Sequence, residues 1–211
     1  TCATYGDHDG VVLDEDTPQT PINAYGASKR AIEDMLHDFG AAHGLRSVIF
    51  RYFNVAGADP EAEVGEFHRP ETHLIPLILQ AIDGQRPELV IHGDDYATPD
   101  GTCIRDYVHV MDLVEAHVLG LDWLAAGRGA RVFNLGTGSG FSVRAVIEAA
   151  EAVTGRKVPH RIGPRRGGDA TRLVSGSRRA AEELGWTPRR STLEAMIGDA
   201  WNWHRTGGFQ G

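Results

Sequence analysis

The sequence predicts an α/β fold built on a mainly parallel sheet, and three observations lead there. Short β-branched and aromatic runs alternate along the chain with stretches whose apolar residues recur at helical spacing, as in βα units. The 211 residues are 41% hydrophobic and 24% charged, an ordinary globular composition, and a chain of this length buries about 70% of its unfolded surface. No internal repeat with a period of about 20–50 residues and no low-complexity tract is present, which excludes a solenoid.

The elements follow in order. Residues 7–23, rich in Asp, Pro and Thr, read as a surface loop. Residues 24–43 read as a helix, because Ala24, Ala27, Ala31, Met35, Leu36 and Phe39 recur at helical spacing and Gly44 follows. Residues 45–53 (LRSVIFRYF) are a strand, and 54–72 a long aperiodic loop of the kind that often carries function. Residues 73–82 are helical despite Pro76. Residues 89–92 form a strand, 94–102 a polar loop and 106–109 a second short strand. A helix over 110–126 and a strand over 131–135 lead into the turn 136–140 (GTGSG). Ser142 N-caps a helix running to Thr154. A strand over 158–162, an Arg/Gly loop over 163–169 and helices over 177–184 and 192–205 complete the chain.

Composition excludes several functions. Lys plus Arg is 21 and Asp plus Glu is 29, a net charge of −8 with a pI near 5.6, so no nucleic-acid partner is expected. No apolar run approaches the length of a membrane span, and the start at Thr1 has neither the basic nor the apolar region of a signal peptide. Two distant cysteines, Cys2 and Cys103, point to a reduced, cytoplasmic protein. Cys2 has no His nearby in sequence and reads as a packing residue. The ten His residues show no H-E-x-x-H and no tight ligand cluster, so no metal is expected.

The sharpest chemical signal is Tyr25-Gly26-Ala27-Ser28-Lys29. Residues i and i+4 project from one helix face, close enough to interact. A Tyr with a pKa near 10 is a poor base at neutral pH, and a neighbouring ammonium favours its phenolate. Lowering that pKa by about 3 units requires about 4 kcal/mol of differential stabilisation. Alone, the pattern is more often that of a solvent-facing pair on an amphipathic helix.

Context sharpens it. Thr1 lies upstream of Tyr25, and Arg51-Tyr52-Phe53-Asn54 ends the next strand. Gly101 to Asp112 (GTCIRDYVHVMD), Asn134-Leu135-Gly136, Arg165 to Asp169 (RRGGD), Leu184-Gly185-Trp186 and the Trp201/Trp203 helix follow in order. From Thr1 to about Arg205 the chain resembles the UDP-glucose 4-epimerase branch of the extended short-chain dehydrogenase/reductase family. The resemblance implies a partial Rossmann fold with a smaller α/β C-terminal substrate domain. Residues 1–55 would end the NAD-binding part with its Tyr/Lys helix. Residues 56–211 would be mostly substrate domain, with some segments returning to the Rossmann sheet.

The resemblance also implies roles. Tyr25 is the acid/base at the sugar 4-hydroxyl, Lys29 lowers its pKa and bonds the nicotinamide ribose, and Thr1 bridges substrate and Tyr25. Tyr52 and Phe53 lie against the nicotinamide of NAD, and Asn54 contacts the UDP-sugar. His73 and Leu74 match substrate contacts, with His73 standing where bacterial relatives often have Asn. Val90, Ile91 and His92 flank uracil. Arg105 and Arg166 hold the diphosphate, a task suited to a planar, permanently charged fork. Asp169 contacts the uridine ribose, and Leu173 walls the hexose pocket. The implied reaction interconverts UDP-glucose and UDP-galactose through a 4-keto sugar, and the implied assembly of the full-length protein is a homodimer.

Two departures qualify this. The 136–140 turn is not G-x-G-x-x-G: Phe141 takes the third glycine position, and no acid follows about 20 residues on. No other Gly-rich fingerprint occurs, so the chain is expected to be a fragment lacking the N-terminal NAD motif and inactive alone. Dehydratases and decarboxylases of the same family carry an acid just after the Ser/Thr, where this chain has Cys2-Ala3-Thr4, which disfavours them. A non-catalytic nucleotide-sugar binding fragment is the rival of a different class.

Overall fold

The computed structural model describes residues 1–8 and 10–206; residue 9 of the expected surface loop and residues 207–211 of the expected C-terminal domain lie outside the described residues. After a short 3-10 turn at Cys2–Thr4, helix α1 (Ala24–His43) starts where Asn23 Oδ1 accepts from the Gly26 N–H at 2.8 Å. It ends at Gly44, whose φ of 69° needs a residue without a Cβ clash. Strand β1 (Val48–Tyr52) then pairs in parallel with β6 (Arg131–Leu135), setting Phe50 opposite Phe133. Two further parallel pairs are β2 (Asn54–Ala56) with β5 (Tyr107–His109), and β3 (Leu89–His92) with β8 (His160–Gly163). Strand β4 (Ile104–Arg105) lies between β9 (Arg172–Leu173), parallel, and β7 (Phe141–Ser142), antiparallel. Helices α2 (Leu74–Ile82), α3 (Val110–Ala125), α4 (Val143–Thr154) and α5 (Leu193–Arg205) connect and cover these strands.

The α/β class with mainly parallel pairing is therefore as expected, and the differences are local. The stretch 54–72, expected as loop throughout, opens with β2, because the partner strand supplies the bonds: Asn54 N–H donates to Asp106 O at 3.0 Å. The two-residue strands β4, β7 and β9 were invisible, since two residues carry no period. The strand expected at 158–162 forms at 160–163, and the helix expected at 177–184 is reduced at its end to a wide π-type turn, Ala180–Leu184. Pro76 is tolerated because it is the third residue of α2, where the backbone N–H would have no intrahelical acceptor.

Three buried clusters organise the interior. The largest joins α2, α4 and α5 to β3 through Ile78, Leu79, Leu89, Ile91, Val146, Met196 and Ile197. A second packs Phe133, Leu135, Val108 and Ala116 around fully buried Trp186, whose indole donates to Asp112 O at 2.7 Å. A third, smaller one holds Tyr5, Leu13 and Phe53. No described helix is long and apolar enough to cross a membrane.

Candidate active site

Helix α1 turns a polar face toward the body of the protein. Gly26, Lys29, Glu33, Leu36 and Gly40 follow one another at helical spacing and are its buried or half-buried positions. Gly26 is placed by sterics: a Cβ there would lie 2.2 Å from Ala3 O, so only glycine lets α1 approach the Cys2–Thr4 turn. Glu33 is placed by charge. Its carboxylate meets the guanidinium of Arg51 on β1, Nη2 to Oε2 at 2.6 Å and Nε to both oxygens at 3.1 Å, with both side chains about nine-tenths buried. Arg51 Nη1 also donates to Tyr5 Oη at 2.9 Å, which in turn donates to Asn134 Oδ1 at 2.6 Å. Burial pushes the Tyr5 phenol up to about 12, so it stays a neutral donor in this network. One turn before Glu33, Lys29 Nζ stands 5.5 Å from the centroid of the Tyr25 ring, which is 57% exposed.

Beside this face opens a cleft of about 830 Å³. Thr1, Tyr25, Tyr52, Phe53 and Asn54 line it at the α1 and β1 end. His73 and Leu74 at the start of α2, Val90, Ile91 and His92 of β3, and Arg105, Arg166 and Asp169 line the rest. The structure thus brings the expected site residues into one cleft, with two exceptions. Lys29 stands behind Tyr25 without lining the cleft, and Leu173 packs against the Tyr5, Leu13 and Phe53 cluster instead. On β9, Leu173 stands in register with Arg105 of β4, which does line the cleft. Alternation along β3 buries Leu89 and Ile91 in the core and leaves Val90 and His92 half-exposed, so Ile91 is the back wall.

The electrostatics divide along the cleft. Arg105 is largely buried, donates to Ile104 O at 2.9 Å and faces Asp169 Oδ1 at 3.6 Å, whereas Arg166 lies exposed in its glycine loop. Cys2 is packing, as expected: it lies against the third cluster, and burial pushes its thiol up to about 11. The 136–140 turn is not free for a phosphate. Its Thr137 and Gly138 N–H groups, with that of Ser175, donate to the buried Asp106 carboxylate at 3.0–3.1 Å.

One expectation is corrected. A tight ligand cluster does exist: Glu66, His68, Glu71 and His73 converge beside the cleft, because the loop before α2 folds back on itself. Sequence reasoning also missed Glu33 and Arg51 as the pair that sets α1, although 25, 29 and 33 share one helical face. It missed Asp106 too, whose role depends on two distant segments.

The profile of the NAD dependent epimerase/dehydratase family matches residues 1–136. A UDP-glucose 4-epimerase of Halalkalibacterium halodurans is 50% identical over 205 residues, 97% of this chain and 61% of that protein. One of Azospirillum brasilense is 52% identical, over 98% of this chain and 59% of that protein. A crystal structure of a UDP-glucose 4-epimerase, 53% identical, superposes with a TM-score of 0.93 over 98% of this chain and 63% of the other. The Bifidobacterium longum UDP-glucose 4-epimerase, solved with NAD+ and UDP, is 37% identical with a TM-score of 0.92, over 98% and 62%. The chain spans about three fifths of the length of the relatives it matches.

Proposed function

The chain belongs to the NAD dependent epimerase/dehydratase family, and from that premise we propose that this protein interconverts UDP-glucose and UDP-galactose with NAD as its cofactor. One observation carries the reading: a single cleft is lined at one end by Thr1 and Tyr25 and further along by Arg105, Arg166 and Asp169. A hydroxyl acid/base and a paired-cation site in one cavity suit a diphosphate sugar whose hydroxyl is to be oxidised.

The residues present fit one end of NAD. Tyr52 and Phe53 border the cleft beside Tyr25, with the Lys29 ammonium behind, and would hold the nicotinamide and its ribose. The turn at 136–140 does not fit the cofactor diphosphate, since Asp106 already occupies its N–H groups. When bound, NAD supplies the site that takes hydride from C4 of the sugar and returns it. Tyr25 Oη takes the 4-hydroxyl proton and gives it back, with the Lys29 ammonium beside its ring, and Thr1 hydrogen-bonds the substrate. Arg105 and Arg166 clamp the diphosphate, with Asp169 shared between Arg105 and the uridine ribose. Val90 and His92 flank uracil before Ile91, Asn54, His73 and Leu74 contact the sugar, and Leu173 acts on the hexose pocket from within the cluster that holds Phe53.

The exposed apolar row on α1, Ile32, Met35 and Phe39, supports a second copy of the protein as partner. A cytoplasmic location and residues 1–55 as the end of the cofactor-binding part belong to the same reading. The test is conversion of UDP-galactose to UDP-glucose by the full-length protein supplied with NAD, since this chain spans about three fifths of the relatives it matches. Tyr25→Phe should lower turnover about 10²–10⁴-fold with the fold intact. Activity of that variant within a few-fold of the parent overturns the assignment.

A further inference from the structure

We propose that Glu66, His68, Glu71 and His73 form a binding site for a divalent transition cation of the zinc type. The four residues follow the spacing E-x-H-x-x-E-x-H, and one ligand atom from each lies within 4.8 Å of the others. His73 Nδ1 contacts Glu66 Oε1 and lies 3.2 Å from Glu71 Oε1, while His68 Nδ1 lies 3.7 Å from the same Glu71 oxygen. With metal–ligand bonds of about 2.0–2.1 Å, neighbouring ligands of a tetrahedral ion stand about 3.4 Å apart, so these separations already approach the edges of that figure. The two imidazole rings lie 5.1 Å apart between centroids.

A second, independent feature points to a ligand. The Glu71 side chain is only 4% exposed, and its Oε1 accepts from the Thr72 and His73 N–H groups at 2.7 and 2.8 Å. Its Oε2 is buried with no hydrogen-bond partner among the described residues. A buried carboxylate oxygen is retained when something balances it, and a cation between the two imidazoles and Glu66 would do so. Trp203 donates to Glu66 O at 3.0 Å, so the loop's far end is tied to α5.

Two nitrogens and two carboxylate oxygens select the ion. Zinc and its neighbours accept imidazole readily, whereas magnesium and calcium prefer all-oxygen sites. Both imidazoles bind the ion in their neutral form. Glu66 and His73 also line the cleft, so an ion here would fix the loop where it borders that cavity.

Calorimetric titration of the chain with zinc chloride at neutral pH tests this, with magnesium chloride in parallel. The expected result is one equivalent of zinc bound at micromolar affinity or tighter, with no heat from magnesium. His68→Ala and Glu71→Gln should each weaken zinc binding by about tenfold or more. His68 is half-exposed, so its replacement leaves folding intact; zinc should raise the melting temperature of the parent chain and not that of His68→Ala. Absence of zinc binding overturns the proposal and leaves the cluster as ion pairs. Zinc binding unchanged in both variants overturns it as well, placing the ion on other histidines.

Discussion

Helices α1 and α5 have the same periodic look in sequence and opposite fates. In α5, Leu193, Met196, Ile197 and Ala200 are buried in the largest cluster against α2, α4 and β3. In α1, Gly26 alone among twenty residues is buried, and the apolar row of Ile32, Met35 and Phe39 is 46–57% exposed. What α1 turns inward is polar: Lys29 and the Glu33 carboxylate, held by Arg51. An apolar stripe therefore does not identify the inward face when an ion pair and a steric notch at Gly26 set the orientation first. The helix that carries the proposed chemistry rests on a few specific contacts, and the helix that carries none rests on broad apolar burial.

The largest effect that tests this contrast is at the pin of α1. Arg51→Ala leaves the Glu33 carboxylate, about nine-tenths buried, without its cation and with only the Gln19 amide still donating to it at 2.9 Å, and should destabilise the chain by about 3–5 kcal/mol. Denaturant unfolding measures it, and Arg51→Met with Glu33→Leu together should recover most of the loss. If the single variant unfolds at the parent's midpoint, α1 is held by something other than this pair.

A matched pair of truncations compares the two helices directly. Met196 is fully buried in α5 and Met35 is 57% exposed on α1. Met196→Ala should cost about 2–5 kcal/mol, because it opens a cavity that neighbours fill only in part. Met35→Ala should stay within about 0.5 kcal/mol in the dilute chain. A large loss at Met35 that grows with protein concentration would show that its row is covered by a second copy.

A further test probes the far wall of the cleft. Arg105→Ala should weaken UDP binding about 10- to 100-fold, the loss of one charge-assisted contact of about 1.5–3 kcal/mol, and leave the melting temperature nearly unchanged. Equal UDP inhibition constants would remove Arg105 from the proposed diphosphate site.

Much of the fold was legible locally. The helix α1 follows from its apolar period and Gly44, and the start of α4 follows from Ser142, because caps and periods act within one turn of chain; the Asn23 and Gly155 caps emerged only in the fold. The proposed site residues were legible by type and order, and their shared cleft was not. The buried network Glu33–Arg51–Tyr5–Asn134 spans partners 18, 46 and 129 residues apart, which no window on the sequence sees. The same holds for Asp106 filling the 136–140 turn, where the local pattern alone would accept a phosphate. The convergence of Glu66, His68, Glu71 and His73 was within reach of the sequence by spacing, but in a loop without a period only the path of the backbone decides which side chains meet. Amino-acid order by itself determined the α/β class, the helix limits and the residue types available for chemistry, because these depend on short-range sterics and hydrogen bonding. Which face of α1 turns inward, where Leu173 sits and what occupies the glycine turn were decided by tertiary structure, because burial of charge and close packing depend on partners that only the folded chain brings together.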